Sequence, residues 1–239
     1  MKFIYNPDLS DPQKKINYNK DLFSTIAPHY ATATKVLSFW QDAKWKDILI
    51  SSLPQMDAPV IVDLACGTGD FILRLQKKYE YPMIYGIDIT DHMIEQFNQR
   101  HDSNNIKFLL SDISDTGLKC NSVDIVTGGY ALRNSSNLLQ TLDEIYRILK
   151  PGGYAAFLDF SKSPAPFFRS TQYLLLFLWG ILWSLLIHKK LFIYTYITNS
   201  LYSFPNRLDL KKLVQKKGFS HYSSRLFFCG FIELITFRK

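Results

Sequence analysis

Glycines and aspartates stand at the ends of three short apolar runs, where a parallel sheet would present a ligand site. Gly67 and Gly69 follow the run VIVDLAC in a Gly-Thr-Gly turn, Asp88 ends MIYGID, and Asp112 ends IKFLLSD. Glycine lets a backbone turn approach a ligand closely beside the first N–H groups of a helix. An acid that ends the second strand of such a sheet is placed to accept hydrogen bonds from ribose hydroxyls. The pattern therefore predicts a nucleoside site.

The spacing of the glycines excludes two common classes of phosphate-containing ligand. A dinucleotide fingerprint, GxGxxG, needs a third glycine where this chain has Ile72, and a P-loop needs a Lys-Ser or Lys-Thr pair that does not follow here. A nucleoside without phosphates remains, and Asp112 could accept a hydrogen bond from an adenine amino group. Asp63 lies inside the first run, where a lone buried carboxylate is costly unless a sulfonium, an ammonium group or backbone donors face it. Together these residues predict S-adenosylmethionine (AdoMet) as the cofactor.

Strand-like runs alternate with helix-like segments over residues 60–161, which predicts an α/β fold. The five strand-like runs are 60–67, 83–89, 106–113, 123–129 and 154–161. Alternation at this spacing is typical of a doubly wound, parallel sheet. The tail RLFFCGFIELITFRK has two apolar runs separated by Cys229-Gly230, which indicates an antiparallel hairpin. We therefore expect a mostly parallel sheet of seven strands that ends in a hairpin.

Polarity along the chain predicts its domain organisation. Residues 1–20 are polar and are expected to form a flexible N-terminal arm, and residues 21–239 a single domain with a helical cap at about 165–205. Within the cap, residues 173–187 (YLLLFLWGILWSLLI) are apolar on every side. As a helix they would extend about 22 Å at roughly 1.5 Å per residue, short of a hydrocarbon core of about 30 Å. A buried cap helix, or a helix that lies on a membrane surface, is therefore favoured over a membrane-spanning one.

The composition is that of a folded protein, and the C-terminal part of the chain is much more basic than the rest. Of its 239 residues, 47% are apolar and 21% are charged. Three widely spaced cysteines form neither a metal-binding cluster nor a disulfide framework, so we predict no metal site and a reducing, cytoplasmic setting. Residues 151–239 carry 12 basic and 3 acidic side chains, together with 20 of the 36 aromatic residues. That balance suits an anionic membrane surface, a lipid-like substrate or nucleic acid, and it is equally compatible with an ordinary basic surface.

Five runs, in sequence order, resemble the signatures of the ubiquinone/menaquinone biosynthesis C-methyltransferases. They are DLACGTGD, GIDIT, ALRNSSN, RILKPGG and LDFSKS, and the similarity extends over residues 22–239. An N-terminal signature of that family is matched in part by YATATKVLSFWQDAKWK. Tyr30, Trp45 and Lys46 match it, whereas Asp42-Ala43 replaces a His-Arg pair. The resemblance implies a class I AdoMet-dependent methyltransferase fold.

The resemblance also implies which residues contact the cofactor. The family's contact positions correspond here to Thr68, to Asp88 with Ile89, to Asp112 with Ile113, and to Gly129, beside Asp63, Gly67 and Gly69 named above. Gly129 is a serine in many relatives, so no side-chain contact with the cofactor is expected at this position.

The family methylates a ring carbon of a reduced, prenylated quinone, and this reaction implies the catalytic residues. The ring carbon becomes nucleophilic as a neighbouring hydroxyl loses its proton, so the enzyme must stabilise an oxyanion. Arg133 is expected to hold that oxyanion or to polarise a water, because a guanidinium with a pKa above about 12 cannot readily act as a base. Asn134 would orient the oxygen or the water, and Tyr30 would close over the cofactor or donate to the quinol. From the residues alone, Arg133 could instead belong to a surface ion pair and Asn134 could cap a helix, and Asp159 is a candidate partner for Arg133.

The sequence therefore predicts AdoMet-dependent C-methylation of a prenylated quinol, either of the demethylmenaquinol type or a ubiquinol precursor. We expect a cytoplasmic enzyme bound to the inner face of the membrane, with the 173–187 run and the basic C-terminal part against anionic lipid. Two alternatives stay open: methylation of another lipid or aromatic small molecule, and a non-catalytic AdoMet-fold subunit at a membrane. Nucleic acid is not an expected partner, because the chain has neither an Asn/Asp-Pro-Pro-Tyr motif nor a Pro-Cys nucleophile. The sequence leaves the oligomeric state open.

Overall fold

Seven strands form one sheet, and its strand order brings β1 and β4 together at the centre. The computed structural model of the protein describes residues 11–99 and 105–239. Within these residues the strand order is β3-β2-β1-β4-β5-β7-β6, and β7 runs antiparallel to both of its neighbours, β5 and β6, while the other pairs are parallel. The strands are β1 (Val60–Leu64), β2 (Met83–Asp88), β3 (Ile106–Leu110), β4 (Val123–Gly129), β5 (Leu149–Phe160), β6 (Ser220–Phe227) and β7 (Ile232–Arg238). The predicted α/β class, with a mostly parallel seven-stranded sheet and a C-terminal antiparallel hairpin, is confirmed.

Alternating side chains of the central strands fill two apolar cores, one on each face of the sheet. Ile61 of β1 lies level with Ile125 of β4, and Val62 lies level with Val126. All four are fully buried, and the two pairs belong to different clusters of buried apolar residues. Successive residues of a strand point to opposite faces, so a strand that is covered on both faces is apolar throughout.

Helices cover both faces of the sheet. In the described residues they are α1 (Pro12–Ile26), α2 (Tyr30–Leu37), α3 (Asp42–Ser52), α4 (Asp70–Lys78), α5 (Asp91–Asn98), α6 (Ala131–Asn134), α7 (Leu138–Ile148), α8 (Pro166–His188), α9 (Tyr196–Ser203) and α10 (Arg207–Lys216). Helices α3 and α4 contribute to the core on one face, and α7 and α10 to the core on the other. Ala27–His29 form a 3-10 turn between α1 and α2, with Pro28 in its first turn.

Helix α1 occupies half of the segment predicted to be a flexible arm. Residues 1–10 lie outside the described residues, but from Pro12 the chain is helical. Asp11 caps the helix, since its side chain accepts a hydrogen bond from the Lys14 N–H at 3.0 Å, and Pro12 occupies the first turn, where no N–H is needed. The expectation of a flexible arm is therefore wrong for residues 12–20. The polar composition was misleading because the buried residues of this part of α1 are themselves polar, Lys15 and Asn19.

Helix α8 is longer than the predicted apolar run and turns its apolar face outward. It begins at Pro166, and its 23 residues are long and apolar enough to cross a membrane by length and composition. Only 17% of its most apolar stretch is buried. The buried residues of the helix are Gln172, Leu176, Gly180 and Ser184. Its exposed large apolar side chains are Phe167, Phe168, Leu174, Leu175, Leu178, Leu182, Leu185 and Leu186, which we call the leucine face of α8.

Small and polar side chains dock α8 onto the rest of the domain. A Cβ at Gly180 would lie 2.9 Å from the Tyr194 carbonyl oxygen, so only glycine allows this approach. The Ser184 hydroxyl accepts a hydrogen bond from the Tyr194 N–H at 2.8 Å. Near the other end, the Gln172 side-chain amide donates to the Ser161 carbonyl. Helix α8 is therefore held along the domain surface over three of its turns by bonds to backbone atoms.

Candidate active site

A cavity of about 510 Å³ lies where the central parallel strands end at their carboxyl termini. This is the edge at which open α/β sheets bind ligands. Nine of the twelve predicted site residues line it: Tyr30, Gly67, Asp88, Ile89, Asp112, Ile113, Gly129, Arg133 and Asn134. Asp63, Thr68 and Gly69 are not among the lining residues. The remainder of the wall is largely apolar and aromatic, with Phe160, Trp179 and Tyr196 among its members.

Asp88 and Gly67 form one side of the cavity at the ends of β2 and β1. The Asp88 carboxylate accepts hydrogen bonds from the N–H groups of Gly67 at 2.8 Å and Thr90 at 2.9 Å. Burial raises the pKa of Asp88, and these backbone donors oppose the rise. Gly67 has a φ of 53°, and no atom lies within 4 Å of the position that a Cβ would take. A ligand can therefore approach the Gly67 backbone, and the Asp88 oxygens retain lone pairs for a hydroxyl.

Gly69 and Gly129 have no side chain and so leave room for neighbouring aromatic rings. A Cβ at Gly69 would collide with the Phe97 ring, and the Gly69 N–H donates to the Cys66 carbonyl at 2.9 Å within the turn. Gly69 therefore shapes the turn and packs against Phe97, and its predicted contact with the cofactor stays a prediction. At Gly129 a Cβ would lie 2.6 Å from the Phe71 ring. A serine at this position would need Phe71 to move.

Arg133 is a buried cation on the cavity wall, held by groups from two elements, β5 and α9. Its side chain is 1% exposed, which excludes the surface ion pair considered from the sequence. The Asp159 carboxylate accepts the Arg133 backbone N–H at 3.0 Å and lies 3.5 Å from Nε. Nη1 contacts the Ser200 hydroxyl, and the guanidinium carbon lies 5.1 Å and 5.3 Å from the ring centroids of Phe160 and Tyr196. Burial raises the pKa of Asp159, and the guanidinium opposes that rise.

Asn134 and Tyr30 complete the polar part of this wall. The Asn134 side-chain N–H₂ donates to the Tyr130 carbonyl at 2.9 Å, whereas its buried Oδ1 has no hydrogen-bond partner within residues 11–99 and 105–239. The cap of the following helix is Asn137 rather than Asn134. Burial raises the pKa of the Tyr30 hydroxyl well above its usual value, so this phenol remains a neutral donor. An unpaired acceptor and a neutral donor thus face the same cavity as the guanidinium.

Comparison with known proteins identifies the family to which this site belongs. Residues 12–235 match the model of the ubiE/COQ5 methyltransferase family. The chain belongs to this family. It is 31% identical over 237 residues to a demethylmenaquinone methyltransferase of Symbiobacterium thermophilum, with 93% of each chain covered. It is 28% identical over 224 residues to a demethylmenaquinone methyltransferase of Staphylococcus saprophyticus, with coverage of 93% of this chain and 96% of the relative.

Solved structures of AdoMet-dependent methyltransferases share the fold. A Thermotoga maritima enzyme described as a possible histamine N-methyltransferase superposes with a TM-score of 0.64 at 18% identity, covering 92% of this chain and 99% of its own. The methyltransferase in complex with the Haloferax volcanii Trm112 activator gives a TM-score of 0.65 at 17% identity, covering 92% and 96%. The predicted family and the predicted enzyme class, an AdoMet-dependent methyltransferase, are both confirmed.

Asp63, a residue of the family's glycine-rich signature, is buried behind the cavity. The Thr127 hydroxyl donates to its carboxylate at 2.8 Å. Burial raises the pKa of Asp63 to about 7, an effect that this hydrogen bond and the charge of Lys46 oppose. The predicted need for a partner is thus met by a hydroxyl of the neighbouring strand and by a protein cation at longer range.

Lys46, itself buried, organises an ionic cluster that is partly exposed at Asp70 and to which the sequence assigned no role. Its ammonium group lies 2.6 Å from a carboxylate oxygen of Asp42 and 2.6 Å from one of Asp70. The Tyr130 hydroxyl donates to the second oxygen of Asp42 at 2.6 Å. The cluster therefore joins α3, the first residue of α4 and the turn after β4. The available signal was the i,i+4 spacing of Asp42 and Lys46, which suits an ion pair on one side of a helix.

Two further polar residues, both on α1, hold the Arg133-Asn134 turn. The Lys15 ammonium donates to the Arg133 carbonyl at 3.1 Å, and the Asn19 amide donates to the Asn134 carbonyl at 2.8 Å. Burial and the Arg133 charge lower the pKa of Lys15 to about 8. These carbonyls end the short helix α6, so α1 supplies the donors that the helix end requires. They were missed because α1 lies in the segment predicted to be flexible.

Proposed function

We propose that the chain transfers a methyl group from AdoMet to a ring carbon of a reduced, prenylated quinone of the demethylmenaquinol type, as a step of menaquinone biosynthesis. The observation that carries this proposal is the buried Arg133 on the wall of a largely apolar cavity, next to the unpaired Oδ1 of Asn134. The family and its relatives named demethylmenaquinone methyltransferases support the choice of acceptor. A ubiquinol precursor is the next acceptor to test.

The strand ends offer groups that fit the nucleoside of AdoMet. Asp88 presents carboxylate oxygens for the ribose hydroxyls beside the open backbone of Gly67. Asp112 also lines the cavity, and its Oδ1 accepts bonds from the Ser114 N–H at 2.7 Å and the Ser136 hydroxyl at 3.1 Å, which fixes the carboxylate for an adenine amino group. When bound, AdoMet supplies a methyl group attached to a positively charged sulfur.

The polar wall explains how a quinol carbon would be activated. The Arg133 guanidinium would stabilise the oxyanion that forms as a quinol hydroxyl gives its proton to a water molecule, and this stabilisation is larger in a cavity that holds little water. After the methyl group has bonded to the ring carbon, the hydrogen on that carbon leaves as a proton and the oxyanion is reprotonated, so one proton is released in total. Asn134 Oδ1 can accept a hydrogen bond from the second hydroxyl or from a water, and Tyr30 can donate one. Asp159 would keep the guanidinium in place rather than exchange protons with the substrate, because it lies behind Arg133 and is not among the residues that line the cavity.

The leucine face of α8 supports a peripheral position on a membrane, where a prenylated substrate is found. The helix buries a glutamine, a glycine and a serine beside a single leucine, Leu176, and exposes most of its leucines and two phenylalanines, which is the reverse of a helix of a water-exposed domain. Lys189 and Lys190 follow it directly and suit anionic headgroups. We therefore propose a cytoplasmic enzyme that lies on the inner face of the membrane with α8 in the interface.

A methyl-transfer assay with purified protein tests the reaction. Reduced demethylmenaquinone, a ubiquinol precursor and a non-quinone lipid are each offered with AdoMet, and the quinones are kept reduced. We expect a mass gain of one CH₂ on reduced demethylmenaquinone and none on its oxidised form. Transfer to the non-quinone lipid alone would contradict the acceptor, and AdoMet binding without transfer to any acceptor would favour a non-catalytic subunit.

Flotation with lipid vesicles tests the membrane position. We expect binding to vesicles that contain anionic phosphatidylglycerol, and weaker binding of Leu182→Glu and Leu186→Glu variants. Leu208→Glu is the matched control, because Leu208 is 54% exposed and lies on a different helix, α10. Equal flotation of all three variants would argue against α8 as the contact.

A further inference from the structure

One end of the cavity opens to the protein surface between large apolar side chains. Phe39, Leu175 and Phe228 line the cavity, yet they are 44%, 50% and 43% exposed. Residues at the opposite, cofactor end, such as Asp88 and Ile113, are buried. The exposed lining residues therefore mark a mouth, and we call Phe39, Leu175, Trp179 and Phe228 the aromatic mouth.

Rings from three separate elements meet at the aromatic mouth. Phe39, in the loop after α2, stacks on Trp179 of α8 with centroids 4.6 Å apart, and Phe228, in the turn between β6 and β7, lies 5.2 Å from Phe39. The Trp179 indole N–H donates to the Leu37 carbonyl at 3.3 Å, which ties α8 to the end of α2. Ring stacking thus shapes the opening on one side, while Leu175 lies one turn of α8 away.

Both loops at the mouth adopt a backbone that bulky residues rarely take. The φ angles are 51° at Phe39 and 60° at Trp40, and 51° at Phe228 and 53° at Cys229. A left-handed conformation costs a non-glycine residue about 1–2 kcal/mol, and it persists where the surroundings require it. Each side of the opening thus has two consecutive residues with a left-handed backbone. We infer that the surrounding structure fixes the positions of the rings at the mouth.

The size of the cavity requires a long substrate to leave it. A volume of about 510 Å³ lies in the range of sites that hold one small ligand, and the cofactor end already claims part of it. A quinol ring can occupy the remainder, but a chain of several isoprene units cannot. At the mouth, Leu175 continues into Leu178 and Leu182 at i+3 and i+7 of the same helix, all exposed.

We propose that the aromatic mouth is the portal through which the prenyl tail of the substrate leaves the cavity onto the leucine face of α8. The inference rests on the proposed function and adds the path of the tail. The ring would lie between Arg133 and the cofactor site, the first isoprene units would contact Phe39, Trp179 and Phe228, and later units would reach the lipid. The mouth is thus a binding site for an acyclic hydrocarbon chain, separate from the groups that act on the ring.

A pair of leucine variants on one helix tests the portal. Leu175→Glu places a carboxylate at the mouth, and Leu182→Glu places one two turns further along the same exposed face, outside the cavity lining. Each variant is assayed with a tail-free naphthoquinol and with an eight-unit demethylmenaquinol, both reduced and both in detergent so that membrane binding is not needed. We expect Leu175→Glu to raise KM for the eight-unit substrate about tenfold or more, because the tail would strip water from the carboxylate at the mouth when it binds. Its kinetics with the tail-free quinol should stay within about twofold of the wild type, which also shows that the variant folds.

The two substrates separate a failure of the portal from a failure of the proposed function. Leu182→Glu should leave the tail-free quinol unchanged and should raise KM for the eight-unit quinol less than Leu175→Glu does, because detergent can cover the later isoprene units. If the wild type methylates both quinols and Leu175→Glu behaves like Leu182→Glu, the portal is wrong while the reaction stands. If Leu175→Glu slows both quinols equally, the residue acts on the ring site and the portal is again wrong. If the wild type methylates neither quinol, the proposed function is wrong and the portal falls with it.

Discussion

Breaking the Arg133–Asp159 pair from one side is expected to cost more stability than removing both charges. Both side chains are 1% exposed. Arg133→Met leaves the Asp159 carboxylate buried without its cation, and Asp159→Asn leaves the guanidinium without its anion, so each should cost about 3–5 kcal/mol of unfolding free energy. Independent effects would add to about 6–10 kcal/mol in the double variant.

The double variant Arg133→Met/Asp159→Asn buries neither charge. The Asp159 carboxylate accepts the backbone N–H groups of Arg133 and Phe160, one on each oxygen, at 3.0 Å and 2.8 Å. An asparagine has one acceptor oxygen, so one N–H is left without a partner at a cost of about 1–3 kcal/mol. The double variant should therefore be more stable than either single variant, with a coupling energy of at least about 3 kcal/mol.

Urea unfolding and methyl transfer, measured on all four proteins, separate structure from chemistry. We expect the double variant to recover stability and to remain as slow in methyl transfer as Arg133→Met, because neither offers a guanidinium to the oxyanion. If the losses of unfolding free energy of the two single variants add up in the double variant, the two buried charges do not stabilise each other. Recovery of turnover in the double variant would refute the role of Arg133 toward the substrate and leave it a purely structural residue.

Three further variants test the supports of the site. Asn19→Ala removes a donor to the Asn134 carbonyl and should lower turnover, and it should lower the unfolding free energy by about 1–3 kcal/mol. Asn17→Ala, at an exposed position of the same helix, should change neither quantity. If the two variants behave alike in enzyme assays and urea titrations, the Asn19 hydrogen bond does not support the site. Burial raises the pKa of Asp63 to about 7 against roughly 3.9 when unfolded, so the folded state holds the proton more tightly and unfolding free energy should fall from about pH 4 to pH 7, by up to about 4 kcal/mol. Asp63→Asn should flatten this fall in urea titrations across that pH range, and an unchanged slope would assign the pH dependence elsewhere. Gly129→Ala should press on the Phe71 ring, lower stability by about 1–3 kcal/mol and weaken AdoMet binding in calorimetry; unchanged affinity would remove Gly129 from the cofactor site.

The sheet and its ligand end were predictable because their determinants are local in sequence. The run VIVDL is apolar throughout, as a central strand covered on both faces must be, and its Gly-Thr-Gly turn marks the strand end. Strand ends in a parallel sheet meet at one edge, so Asp88 and Asp112 could be placed near Gly67 without knowing any long-range contact. The orientation of individual groups was less predictable. Gly69 faces Phe97, and Asp63 faces Thr127, because the partner strand and helix decide these contacts.

The setting of Arg133 could not be predicted because its partners come from distant parts of the chain. Asp159, Ser200 and Lys15 reach it from β5, α9 and α1. Apolar periodicity, the main signal for a packed helix, fails for the first half of α1, where the buried side chains are lysine and asparagine. Asp11 followed by Pro12 is typical of the start of a helix, but the polar composition of the segment led to the prediction of a flexible arm.

The position of the transferred methyl group shows whether the enzyme methylates a ring carbon of the quinol, as proposed, or an oxygen. The protein is incubated with AdoMet carrying a carbon-13 methyl group and reduced demethylmenaquinone, and the product is examined by carbon-13 NMR before and after exposure to air. We expect an aryl carbon–methyl signal in a product that still oxidises to a quinone, and loss of this signal in Arg133→Met. A methoxy signal in a product that no longer oxidises to a quinone, or no labelled quinone at all, would contradict it.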